Sequence, residues 1–293
     1  MSGMRIPLRA VALAVSSFLM LSGCADNGGG EGPVGAYADR TGPTVIGTDR
    51  SAESRVVAAL YGELLTAAGV RVRTASTAYA FPADTARAVV AGRLGLAPEY
   101  ETTLLRALGA GQIMPGHMAA TLSMALPPGV VALPPSSAER GFVLAVTRAT
   151  AHRYGLRSLS DLAGAGGRPT LGGAASRVAA APSVRSLREV YGVSLASAGT
   201  SMTADVLVLR STDPAIVRDG LVVLTDPSGV LSPEHVFPLI AAPDADLTAR
   251  KALARVNTLL TTAVLAKLAA SVDKGEAPAA AARSWLRTEG LVG

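Results

Sequence analysis

The sequence predicts an α/β protein built as two lobes with a helical tail, and three observations carry that prediction. The early chain alternates short apolar runs with amphipathic stretches of helical spacing. Continuous apolar runs return at 141–146, 205–209 and 221–225. From Leu247 onward the pattern is helical except for a turn around Gly275 to Pro278. Strand, helix, strand, helix, strand is the opening of a parallel α/β unit, and the whole order fits two such units better than one sheet.

Thr44 to Thr48 reads as a buried strand ending in a turn. Glu53 to Ala68 follows with Val56, Val57, Leu60, Leu64 and Leu65 on one face, and Gly69 stops it. Val70 to Thr74 reads as a second strand, Pro82 to Ala91 as a second helix and Leu94 to Ala97 as a third strand. Helices are expected over Thr102 to Leu108 and Gly116 to Leu126, the latter broken by Pro127-Pro128. Gly141 to Val146 is a strand by its unbroken apolar run. Helical turns follow over Ala149 to Gly155 and over Leu156 to Leu162, the second capped by Ser158 or Ser160, and the glycines of 164–173 read as an irregular loop. Ser183 to Tyr191 is a helix closed by Gly192. Asp205 to Leu209 and Leu221 to Thr225 are strands, with a turn or short helix over Asp213 to Asp219 between them.

Ahead of this body, Arg5 and Arg9 precede an apolar run from Ala10 to Leu21 that ends in Ser22-Gly23-Cys24. A transmembrane helix needs about 20 apolar residues, so a cleaved signal is the better reading. Cys24, the only cysteine, then becomes the first residue and carries lipid. Residues 24–43, rich in Gly, Asp, Glu and Pro, read as a flexible tether. The chain is expected outside the cytoplasm, anchored to the cell membrane. Arg5 and Arg9 leave with the signal, so 25 basic and 22 acidic residues remain, with no basic run or stripe, and nucleic acid is not an expected partner. With no second cysteine, stability must come from the core rather than from disulfides.

Several segments together resemble the lipid-anchored substrate-binding proteins of ABC importers for glycine betaine, choline and related compatible solutes. Val45-Ile46-Gly47-Thr48 followed by Glu53 and an amphipathic helix is similar to that family's opening strand, ligand loop and helix. Pro98-Glu99-Tyr100 followed by Thr103 resembles its Pro-Glu-Tyr-Thr-Gly-Thr motif. Gly141 to Val146, Tyr154-Gly155-Leu156 and Ser160 to Ala163 resemble its crossover strand and following helices. Ser211-Thr212-Asp213 and Leu221 to Asp226 resemble its second hinge region, and Leu259 to Thr262 through Gly290-Leu291 its final helices. The resemblance implies a two-lobed type II periplasmic-binding-protein fold, with two parallel or mixed sheets flanked by helices and joined by two crossover strands. Lobe I would span 44–139 and 235–293, and lobe II 140–234. It further implies no catalysis and no cofactor, but osmoprotective uptake of a small solute by a monomer that docks on an ABC permease and its ATPase subunit.

A quaternary ammonium offers no donor hydrogen, so aromatic faces must hold it. Tyr100 stands at the family's tyrosine and Thr103 at its threonine. Thr48 of the ligand loop and Ser211 of the second hinge are further expected ligand contacts. The rest of the pattern departs. The family's frequent lysine in the opening loop is Asp49, its tyrosine before Ser-Thr-Asp is Arg210, a later aromatic falls near Glu234, and a second-lobe arginine aligns with Ala180. Two readings stay open. Tyr79, Phe81 and Phe142 supply replacement aromatics, or the ligand has changed and Asp49, Arg50, Arg210 and Glu234 hold a zwitterion or polar solute by charge-assisted hydrogen bonds. An envelope sensor or accessory protein that has lost the transport ligand is the alternative function.

Other chemistries find little support. His117, His152 and His235 have no partner at metal-ligand spacing. Neither a Gly-x-Ser-x-Gly elbow nor a Gly-Lys-Ser/Thr loop is present near Ser136-Ser137 or among the glycines of 164–173. Met114, Met118 and Met124 read as lobe packing.

Overall fold

The computed structural model describes residues 42–109, 118–176, 181–231 and 233–293. The expected signal segment, Cys24 and the tether up to residue 41 lie outside these residues, as do Met114, His117 and Ala180.

The chain opens with β1 (Thr44–Ile46), which pairs in parallel with β2 (Val72–Thr74) and β3 (Leu96–Tyr100). Between β1 and β2 runs α1 (Ala52–Ala67). Ser51 caps it, its side chain accepting the Ser54 amide, and Val56, Val57, Leu60, Tyr61, Leu64 and Leu65 form its buried stripe. α2 (Pro82–Val90) starts with proline at its first position, where the missing amide has no intrahelical partner to lose. α3 (Glu101–Ala107) begins directly where β3 ends, and α4 (Met118–Ala125) comes after it.

The sheet is completed by β4 (Val130–Ala132), by the two-residue β5 (Glu139–Arg140) and by the longest strand, β11 (Glu234–Ala241). In strand order it runs β2-β1-β3-β11-β4, with β5 paired to the start of β11. No strand was expected over 234–241, and Pro238 sits in its middle although proline is rarely tolerated in a central strand. The register explains how it fits. Pro238 stands directly opposite Pro98 of β3, so neither proline is asked for an amide by the other. On its other side Pro238 lies past the end of β4 and only accepts, from the Leu133 amide at 3.0 Å.

The second sheet has the order β10-β6-β9-β7-β8. Its members are β6 (Phe142–Val146), β7 (Thr170–Gly172), β8 (Ala196–Ser197), β9 (Val206–Arg210) and β10 (Val222–Val223). β9 is antiparallel to β6 and parallel to β7, so the sheet is mixed. β7 corrects the reading of 164–173 as wholly irregular. Gly172 at its end and the following Gly173 serve close packing, since a Cβ on Gly172 would stand 2.6 Å from the Ser201 carbonyl oxygen and one on Gly173 2.6 Å from that of Val208. α5 (Arg148–Tyr154), α6 (Val184–Tyr191) and the short α7 (Ala215–Arg218) flank this sheet. Gly192 ends α6 at φ 68°, a left-handed position that favours glycine.

The helical last third divides into α8 (Leu247–Leu259), α9 (Thr262–Asp273) and α10 (Pro278–Thr288). Asp246 and Thr261 cap the first two, accepting amides of Ala249 and Val264, and Pro278 opens the third. Leu253, Val256, Leu265 and Leu286 bury against α1 in one core with Leu96, Tyr100 and Val236. A separate core fills the second lobe around Leu144, Leu187, Val206 and Val208. Met118 packs on the first lobe, whereas Met124 is 75% exposed, so the methionines do not form the packed group expected of them.

Candidate ligand-binding cleft

The chain passes from the first sheet to the second within three residues, Arg140, Gly141 and Phe142, because β5 pairs with β11 and β6 pairs with β9. It returns along 224–234 into β11. At the crossing the backbones touch: a Cβ on Gly141 would lie 3.1 Å from Pro233 Cα, so glycine is what permits the approach. Ser211 fastens the crossing. Its hydroxyl accepts the Gly141 amide at 3.1 Å and donates to the Glu139 carbonyl at 3.0 Å, while its own amide donates to the Gly141 carbonyl at 3.1 Å. The side chain placed by sequence in the ligand site is thus engaged with backbone.

Tyr100, at the end of β3, is 1% exposed. The Arg140 guanidinium lies over its ring, Cζ 3.7 Å from the centroid, and its hydroxyl has no hydrogen-bond partner among the described residues. Burial pushes the Tyr100 phenol well above its ordinary range, with the Glu53 carboxylate adding and Arg140 opposing. A second stack stands beside the first. Arg210, register partner of Phe142, places Cζ 4.4 Å from the Phe142 centroid. Partial burial and the neighbouring Arg140 charge lower the Arg210 pKa, with Glu53 and Glu234 pulling back.

Glu234 pairs in register with Arg140, and its Oε2 accepts both the amide and the hydroxyl of Thr103 at 2.9 Å. The Arg140 guanidinium donates to the same hydroxyl at 3.4 Å. Next along β11, His235 stands between Glu101 and Glu139, with a ring nitrogen 3.3 Å from each.

Two recesses share Arg140 and Arg210. One, of about 280 Å³, is lined by Thr103, Phe142, Leu231 and Glu234 among others. The other, of about 430 Å³, is lined by Arg50, Glu53, Thr212 and Asp273 among others. Across it the Thr212 hydroxyl, beyond β9, donates to the Glu53 carboxylate on α1, a direct bond between the lobes.

Of the residues nominated from sequence, Thr103, Phe142, Arg210 and Glu234 line the first recess, and Arg50 and Arg210 the second. Tyr100 and Ser211 line neither recess, and Asp49, Thr48, Tyr79 and Phe81 are not brought there either. Asp49 is 3% exposed, and its carboxylate accepts the amide and hydroxyl of Ser51 at 2.6 and 2.5 Å, so it organises the start of α1. Thr48 is buried beneath the same loop, its carbonyl accepting the Tyr79 amide at 2.8 Å. Tyr79 lines a different recess, with Arg73 and Arg93. Phe81, the residue before α2, is 67% exposed and lines none of the recesses described. Arg140 was not nominated, since an arginine beside a loop glycine carries no periodicity. Its position directly before the crossover strand was the available signal.

Among the described residues no helix is long and apolar enough to cross a membrane. A family profile described as the substrate-binding domain of ABC-type glycine betaine transport systems matches residues 42–288. No curated protein sequence matched. Three solved structures show the fold. A glycine betaine/carnitine/choline ABC transporter protein superposes with TM-score 0.76 at 18% identity, covering 85% of this chain and 98% of its own. Apo YehZ from Escherichia coli gives 0.70 at 18%, with 85% and 99% covered. Lactococcal OpuAC, closed on glycine betaine, gives 0.52 at 14%, with 85% and 96% covered. The two sheets flanked by helices are those of the two-lobed periplasmic-binding fold, whose members here are transport receptors rather than enzymes. Receptors of this kind work outside the cytoplasm, bind small solutes and meet a permease. The chain belongs to the family of substrate-binding domains of ABC-type glycine betaine transport systems.

Proposed function

We propose that this protein is a membrane-tethered receptor that binds one small carboxylate-bearing solute between its lobes and delivers it, as a monomer, to an ABC permease and its ATPase subunit. Lipid on Cys24 holds it at the membrane, with residues 24–43 as the tether. Lobe I comprises 44–139 and 235–293, and lobe II comprises 140–234. The sheet membership of the strands on either side of Gly141 and Pro233 supports that division to within one residue, since Arg140 and Glu234 pair with each other in the first sheet. Hinge closure over the solute, completed by contacts such as Thr212 to Glu53, gives the permease a bound form to recognise.

The observation that carries the reading is the convergence of Arg140 and Arg210, one from a strand of each sheet, on one cleft beside Thr103 and Glu234. A guanidinium presents paired donors to a carboxylate. The family profile favours a second reading, in which the solute is a quaternary amine of the glycine betaine or choline kind and uptake is osmoprotective.

Titration calorimetry of the purified protein tests the reading, with glycine betaine, choline, carnitine and proline betaine set beside succinate and L-glutamate. The expected result is one-to-one micromolar binding of a carboxylate-bearing member, weakened at least tenfold in Arg210→Ala. Binding of none of them, or binding indifferent to Arg210→Ala, overturns it.

A further inference from the structure

Resting on that reading, we infer that the cleft selects a net anion, a small dicarboxylate or acidic amino acid, because the protein's own guanidiniums occupy the ring faces that a quaternary ammonium would need. A cation gains from an aromatic ring only over its face and within about 6 Å of the centroid. Arg140 already lies at 3.7 Å over Tyr100, and Arg210 at 4.4 Å over Phe142. Neither ring has another face to offer, since Tyr100 is 1% exposed and Phe142 8% exposed. Phe142 is the only aromatic among the described residues that line the recess, so no third ring completes a cage.

The charge points the same way. The recess is lined by Arg106, Arg140 and Arg210 against the single carboxylate of Glu234, whose Oε2 is already engaged by Thr103. Among the described residues Arg210 makes no ion pair and its guanidinium donates no hydrogen bond, while Arg140 donates only the 3.4 Å bond to Thr103. Planar guanidiniums stacked on rings keep their edges available, and those edges carry the N–H donors. Two such edges sharing a half-buried cleft repel one another, so an anion between them relieves that repulsion while a bound cation adds to it. Val230 and Leu231 supply an apolar wall for the carbon chain between two carboxylates.

The test is calorimetry on the full-length protein with succinate, L-glutamate, glycine betaine and choline, repeated in Arg140→Ala and Arg210→Lys. Circular dichroism melts confirm that each variant folds. Succinate or L-glutamate binds the unmodified protein and choline does not. Arg140→Ala loses roughly 30-fold or more of the acidic-ligand affinity. Because it uncovers the Tyr100 face, it gains measurable choline binding. Arg210→Lys keeps the charge but loses the fork and weakens acidic ligands less than Arg140→Ala does. If glycine betaine binds the unmodified protein more tightly than either acid, the anion inference fails while the receptor reading stands; if choline binds most tightly, both fail. If none of the four binds, both fail.

Discussion

Replacing Ser211 with alanine separates two roles for this residue, ligand contact or hinge fastener. The hydroxyl makes two bonds, accepting the Gly141 amide at 3.1 Å and donating to the Glu139 carbonyl at 3.0 Å. The third bond of the crossing, from the Ser211 amide to the Gly141 carbonyl, is backbone and survives the substitution. Two intramolecular hydrogen bonds of ordinary strength contribute about 1 kcal/mol each, so Ser211→Ala is expected to lose about 2 kcal/mol. For a chain of this size that lowers Tm by roughly 4–8 °C. Urea denaturation and scanning calorimetry read the loss, and titration with the bound solute should show affinity changed less than threefold, about 0.65 kcal/mol. A variant that melts like the unmodified protein but binds its solute tenfold more weakly would refute the argument and return Ser211 to the ligand site.

Glu99 is fully buried on β3, and burial holds its carboxyl well above the ordinary range, with the Asp49 and Glu234 charges adding and Thr85 and Arg140 opposing. A raised folded-state pKa means that the folded protein binds the extra proton, so stability falls as pH rises above the unfolded value near 4.5. Glu99→Gln is therefore expected to raise Tm at pH 7, by roughly 2–4 °C for each 1 kcal/mol relieved. The gain should shrink toward pH 4.5, and melting curves across that window check the sign. Leu286 on α10 is completely buried against α1 and α9. Leu286→Ala should cost about 2–5 kcal/mol in urea denaturation while leaving solute affinity unchanged, because it lies in the first-lobe core.

Much of the helical framework was legible because its signals are local. The buried stripe of α1 repeats at helical spacing, and Pro82, Asp246 and Pro278 each stand at a helix start with chemistry that a few neighbouring residues decide, whereas the break at Leu260-Thr261 between α8 and α9 was not expected. β11 was not legible, since Pro238 forbids a central strand on local grounds and only the facing Pro98, 140 positions earlier, makes it acceptable. β7 and β8 escaped for a different reason: at three and two residues they are too short to show a period.

At the cleft, sequence by itself determined the cast of residue types. It showed Tyr100 and Thr103 in place, Arg210 and Glu234 where aromatics are usual, and very few aromatics in reserve. Tertiary structure decided what those residues do. It placed Arg140 over Tyr100 and set Arg210 over Phe142 through the β6–β9 register. It also engaged Ser211 with the crossing and turned Asp49 inward to Ser51. The physical reason is that a helix or cap is settled by hydrogen bonds within one turn of chain. Which ring face stays open depends on contacts between residues 40 to 70 positions apart, and no local pattern records them.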